Sequence, residues 1–172
     1  IKKYYFIAFW TIINLVQIYF TELTSDEAYY WFYTTKLQWG YYDHPPMIAL
    51  LTKIGTLLFS GEFGVRIMNT LLFSCSLFFL FKIIKLTDQN KVFVFILLLS
   101  IPLFNYISFI IFPDTALVAF SIFALYAYKH MLEKNSLQSA ILFGLALACM
   151  YYSKYHAALF VFFISATFQP AF

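Results

Sequence analysis

The chain has 172 residues, of which 63% are hydrophobic and 11% charged, with a formal net charge of +3. An average soluble domain holds about 45–50% apolar and about 25% charged residues, so an ordinary water-soluble globule is excluded. So small a charge offers no basic face to nucleic acid, and apolar runs such as residues 92–112 and 140–152 have no polar side to turn toward water. The composition is that of a polytopic membrane protein.

In chain order, Lys2 and Lys3 precede an apolar run over residues 4–21, close to the ~20 residues that cross a bilayer. The run ends in Gln17, Ile18, Tyr19 and Phe20 rather than the small residues of a cleavage site. It therefore reads as an uncleaved first span with its N-terminus in the cytoplasm. The absence of an initial Met and the apolar final residues suggest a fragment of a longer protein. Residues 22–61 form an outer loop, with an aromatic-rich surface helix over 26–37. Gly40 breaks that helix, and Pro45 and Pro46 disfavour helix just before them. Residues 47–59 make a second short helix, after which Ser60, Gly61 and Gly64 punctuate the chain.

Five further spans follow: 63–81, 92–112 with a bend at Pro102, 115–128, 137–152 and 157–172. Residues 87–91 form a polar turn, and Lys129, His130, Glu133 and Lys134 form a later loop. Cys75 and Cys149 lie far apart inside apolar spans and read as small hydrophobic fillers. With the N-terminus inside, Lys2, Lys3, Lys82, Lys85, Lys91, Lys129 and Lys134 fall on the cytoplasmic side. Lys36, Lys53, Arg66 and Lys154 fall outside, so basic residues favour the inner face, as membrane topology rules require. The outer face then collects Asp26, Glu27, Asp43, His44, Asp114, Lys154 and His156. Ionisable groups at the mouth of a membrane bundle are costly to keep, which marks them as a candidate site.

Each group also has an ordinary explanation. Thr24 followed by Glu27 fits a capping box, and Asp26 in the first turn suits the helix dipole. Asp43-His44-Pro45-Pro46 fits a turn. Asp114 after Pro113 looks like an N-cap for the fourth span. Lys154 can snorkel to the headgroups, and Arg66 can anchor there or pair with Glu62. Their shared membrane face is what argues for a site.

Four motifs then carry a resemblance: Asp26-Glu27-Ala28-Tyr29-Tyr30-Trp31, Gly40-Tyr41-Tyr42-Asp43-His44-Pro45-Pro46, Pro113-Asp114, and Gly144-Leu145-Ala146-Leu147-Ala148 leading to Ser153-Lys154-Tyr155. In that order the chain resembles polyprenyl-phosphate-dependent membrane glycosyltransferases of the GT-C fold. The similar branch contains protein O-mannosyltransferases and aminoarabinose transferases. The resemblance implies an all-α, polytopic helix bundle in the bacterial inner membrane, with its site facing the periplasm or exterior. It also implies a polyprenyl-phosphate-linked sugar donor and a lipid, glycan or protein acceptor. Asp26 would be the essential carboxylate, with Asp114 across the same cavity.

On these grounds Asp26 and Glu27 are the candidate catalytic pair, Asp26 as the base that takes the proton of the acceptor hydroxyl. Lys154, with Arg66 second, would stabilise the departing lipid phosphate. Tyr29, Tyr30, Tyr41, Tyr42, Asp43, His44, Asp114, Tyr155 and His156 would line the substrate cavity. Some members of the family use a divalent cation, for which Asp26, Glu27 and Asp114 are the candidate oxygen ligands. A transporter or flippase for a lipid-linked or small solute is the alternative from another class.

Overall fold

The computed structural model describes residues 5–84 and 88–167. Among the described residues the fold is entirely α-helical. The helices are α1 (Tyr5–Phe20), α2 (Ser25–Tyr33), α3 (Met47–Leu58), α4 (Gly61–Ile83), α5 (Asp88–Ser100), α6 (Pro102–Phe109), α7 (Pro113–Lys134), α8 (Leu137–Ser153) and α9 (Ala157–Thr167). By length and composition α4 and α7 can each cross a membrane, and α8 and α9 are shorter apolar helices. Lys2, Lys3, Lys85, the Lys91 side chain and the end of the last apolar run lie outside the described residues.

The chain travels back and forth between two ends of the bundle. At one end the close of α1, all of α2, the starts of α4 and α7 and the close of α8 meet through side-chain bonds described below. At the other, Lys129 of α7 donates to the Ile83 carbonyl at the close of α4 (3.3 Å). Two apolar clusters fill the space between. Trp10, Phe73, Leu77 and Phe95 join α1, α4 and α5. Nearer the first end, Tyr30 and Tyr33 of α2 pack in one cluster with Ile48, Ala49, Val65 and Ile111. Asn14 and Ser108 add a buried hydrogen bond of 2.7 Å between α1 and α6, the kind of polar stitch that joins helices in lipid.

Three local features depart from the sequence reading. The 92–112 stretch bends at Pro102 as expected, but far more sharply than a kink: α5 and α6 meet at 85°. Proline cannot supply the N–H that would continue the ladder, and Ile101 is extended (φ −90°, ψ 107°). The Asn105 amide then donates to the carbonyls of Leu99 (2.7 Å) and Ile101 (3.0 Å), occupying groups that the corner frees. Such satisfaction is what permits a broken helix at membrane depth. Secondly, Lys129, His130, Glu133 and Lys134 belong to α7 rather than to a loop. The turn is only Asn135, left-handed at φ 43°, and Ser136, which caps α8. Thirdly, the aromatic helix stops at Tyr33 instead of reaching Leu37.

The α3–α4 hairpin is tight for a stated steric reason. A Cβ on Gly55 would stand 2.2 Å from the Gly64 carbonyl oxygen, and one on Gly64 would stand 2.0 Å from that of Phe59. Only glycine lets these backbones approach, and Gly61 at φ +69° completes the reversal.

Candidate active site

Asp26 and Glu27 are neighbours in sequence and part company in space. Thr24 caps α2, and its box with Glu27 is complete: the Glu27 N–H donates to the Thr24 hydroxyl, and the Thr24 N–H donates to Glu27 Oε2 (3.0 Å). That geometry sends the Glu27 carboxylate inward, where it is fully buried. Arg66 meets it there as a two-pronged pair, Nε to Oε1 and Nη2 to Oε2, both at 2.6 Å. The guanidinium also donates to the carbonyls of Thr21 and Glu22, and the Ile111 N–H donates to Glu27 Oε1 (3.2 Å).

One ion pair thus ties together the end of α1, the start of α2, α4 and the segment leading into α7. It also turns α2 through 92° from α1. Because α2 is set off from the spans in this way, its face can look out of the bundle.

This corrects several expectations. The carboxylate of Glu27 is wholly engaged by protein groups and offers no atom to a substrate. Arg66 is equally buried and spent, so it is neither a headgroup anchor, nor a partner of Glu62, nor free to meet a phosphate. As a result Asp26, Glu27 and Asp114 do not fit a shared divalent cation. Among the described residues no three His, Cys, Asp or Glu side chains are grouped so as to hold a metal.

The second acidic motif is organised differently. The Phe112 backbone is the N-cap of α7, so Asp114 lies inside the first turn rather than capping it. There Lys154, just past α8, reaches both its oxygens at 2.7 and 2.8 Å. This bridge is open to solvent: the Asp114 side chain is 50% exposed and that of Lys154 22%.

Asp43 is held by aromatic hydroxyls. Tyr33 makes a short hydrogen bond to Asp43 Oδ1, Tyr29 donates to the same oxygen at 3.4 Å, and His44 Nε2 lies 3.6 Å from Oδ2. Burial alone would raise the Asp43 carboxyl, but the Tyr33 bond and the His44 charge outweigh it and hold the group below its ordinary value. The Tyr33 hydroxyl is correspondingly raised, by burial first and then by its bond to Asp43.

Tyr30 connects the motifs. It is buried, its hydroxyl is 3.4 Å from His44 Nε2, and its pKa is pushed up to about 12. Burial is the main cause, followed by the negative charges of Asp26, Asp43 and Asp114 in turn. Charges from three separate stretches of the chain therefore act on one phenol, and Asp26 among them is exposed.

The remaining candidates divide. Tyr29 is half-exposed at the rim, while Tyr41 stacks on Tyr33 (centroids 3.9 Å, planes 7° apart) and supports the wall. Tyr42 is fully exposed, so it packs against no wall of a cavity. Tyr155 and His156 are exposed beyond Lys154. Tyr33 was not singled out in the sequence. Its signal was its position, one turn beyond Tyr29 and Tyr30 on the same helix face.

Beside the cluster runs an apolar groove of about 550 Å³, lined by Leu37, Trp39, Pro46, Met47, Leu50 and Tyr152. Pro46 follows the Asp43-His44 pair and Tyr152 precedes Lys154, so the groove opens alongside the charged groups.

These observations define first a class: an all-α membrane helix bundle of GT-C-like type, with carboxylates, a lysine and tyrosines gathered at one end. The chain belongs to the dolichyl-phosphate-mannose-protein mannosyltransferase family, whose sequence model matches residues 43–169. It is also similar to the lipid A galacturonosyltransferase RgtD of Rhizobium johnstonii (strain DSM 114642 / LMG 32736 / 3841), with 29% identity over 157 residues. That match covers 88% of this chain and 33% of the relative, so the chain spans about a third of the length of the curated protein it matches. No solved structure matches it significantly.

Proposed function

We propose that the protein is a glycosyltransferase that moves a sugar from a polyprenyl-phosphate donor to an acceptor hydroxyl. The acceptor is a lipid, a glycan or a protein, and the site faces the outside of the bacterial plasma membrane. Support for this reading comes from the solvent-open Lys154–Asp114 bridge, the exposed Asp26 in the first turn of α2 and the apolar groove bordered by Pro46 and Tyr152. Transfer from a lipid phosphate needs a base for the acceptor proton, a cation for the phosphate and an apolar bed for the isoprenoid. Asp26, Lys154 and the groove are the candidates for those three roles.

Asp26 takes the proton as the acceptor oxygen attacks the anomeric carbon. The bond from that carbon to the phosphate oxygen breaks, and Lys154 meets the charge left on the lipid phosphate. Asp114 holds the Lys154 ammonium in position before the donor arrives. Tyr29, Tyr30 and Asp43 orient the sugar, and holding both substrates in line supplies much of the rate. A single displacement inverts the anomeric centre. The two relatives are named for different sugars and acceptors, so the shared step is the transfer itself.

The test is to place the full-length protein in liposomes with defined polyprenyl-phosphate sugars and follow free polyprenyl phosphate. Release that depends on acceptor and is lost in Asp26→Asn supports the reading. Near-normal turnover by a folded Asp26→Asn protein overturns the assignment of the base. No release with any donor overturns the activity.

A further inference from the structure

At the end of the bundle opposite Asp114, α4, α7 and α8 enclose a second cavity of about 410 Å³. Its wall includes Phe79, Phe123, Tyr126, His130, Leu142 and Ala146. That volume lies in the range of small-molecule sites. About 24 Å of helix rise separates Asp114 from His130 along α7, so this cavity is remote from the cluster around Tyr30.

Two features make it more than a gap between helices. The Lys82 ammonium sits at its edge over three rings, 4.4 Å from the centroid of Phe78, 5.7 Å from Phe79 and 5.8 Å from Tyr126. Phe79 and Tyr126 line the cavity itself, so these cation–π contacts hold a positive charge at its mouth. His130 Nδ1 is buried on the same wall with no hydrogen-bond partner among the described residues, an arrangement that costs free energy unless a ligand completes it.

Further positive charge gathers nearby. Lys129 caps the Ile83 carbonyl and Lys134 closes α7. Glu133, the carboxylate on that turn of α7, is exposed and makes no ion pair among the described residues.

We propose that this cavity binds an anionic phospholipid of the leaflet at that end. One acyl chain lies among Phe79, Phe123 and Leu142, and the phosphate stands between Lys82 and His130. Charge complementarity selects this occupant. An apolar helix or a neutral lipid would leave the Lys82 ammonium and His130 Nδ1 without an anion, and a free phosphate would leave the aromatic cavity empty. Basic pockets between membrane helices recognise anionic headgroups in this way.

The experiment is native mass spectrometry of the full-length protein in detergent, offered phosphatidylglycerol or phosphatidylcholine of matched chains. Preferential retention of phosphatidylglycerol is expected, reduced roughly tenfold in the Lys82→Ala/His130→Ala double variant. Lys82→Arg should retain it, and Ala146→Trp, which fills the cavity without touching the charges, should reduce it. Equal retention of the two lipids overturns the proposal, as does retention unchanged in the double variant. Displacement of the lipid by millimolar glycerol phosphate would show a headgroup site alone and also overturn it. So would the absence of any bound lipid in the parent, the result expected if the rest of the protein covers the cavity.

Discussion

Two ion pairs stand at the same end of this molecule, and they do opposite work. Glu27–Arg66 is sealed from solvent, accepts hydrogen bonds from the Thr24 and Ile111 amides, donates to the Thr21 carbonyl and joins four segments of the chain. Asp114–Lys154 joins two helix ends and is open to solvent on the carboxylate side. A buried pair is costly to break because the survivor is left charged and unpaired. An exposed one is worth little to stability and is free to exchange partners. Adjacent acidic residues thus differ in role: Glu27 is buried and fixes where α2 lies, while Asp26 beside it is exposed.

The largest effect that separates the two pairs is on folding. Arg66→Ala or Glu27→Ala should cost about 3–5 kcal/mol, seen as loss of monodisperse protein or a steep drop in thermal midpoint. A Glu27→Leu/Arg66→Met double variant should recover much of that loss. If both single variants are as stable as the parent, the pair does not carry the architecture.

Next come Gly55→Val and Gly64→Val. Each drives a side chain into the facing backbone, and about 1–3 kcal/mol or more is expected from overpacking. Unaltered unfolding of both would show that the hairpin is looser than its geometry.

Lys154→Ala inverts the pattern of the buried pair. Stability should move by no more than about 1 kcal/mol, while donor turnover in liposomes should fall by roughly tenfold or more. A variant that loses stability but keeps turnover would reverse the assignment of the two bridges.

The smallest effect falls on the rim. Tyr33→Phe removes the bond that does most to keep Asp43 ionised, at about 0.5–1 kcal/mol once solvent exposure is allowed for. Since Asp43 sits below its ordinary value when folded, its contribution is present above that value and fades as the pH falls through the folded pKa. The Tyr33→Phe protein should therefore begin to lose stability at a higher pH than the parent. Tyr30 gives the opposite limb: its raised pKa contributes stability below about 10, lost as the pH climbs toward about 12. Superimposable acid and alkaline unfolding limbs for parent and variant would remove Asp43 and Tyr33 from the site's electrostatics.

What the sequence made legible followed from local rules. Thr24 and Glu27 announced a capping box, and one is present. Gly61 and Gly64 announced a reversal between α3 and α4. The pairing of Asp114 with Lys154 was legible from counting spans, since each lies at a helix end expected on the same side. The true partner of Arg66 was hidden, because Glu62 lies one turn away on the same helix while Glu27 lies 39 positions back. The local pairing looked sufficient, yet burial rewards the distant carboxylate that brings its own capped helix. The sharpness of the bend at Pro102 was hidden too. Proline announces a break, but its angle is set by what satisfies the freed carbonyls, and that is Asn105, three residues on.

The bond from the Ile111 amide to Glu27 has a metrical consequence. It pins the chain three residues before Asp114, and between the two stands Pro113, whose backbone torsion cannot relax. The connector is therefore a ruler. One residue inserted after Ile111 would carry the carboxylate on by up to ~3.5 Å, away from the ammonium that now grips both its oxygens, while every helix kept its length. The spacing between the inner anchor and the outer acid is thus as much a component of the pocket as any side chain in it.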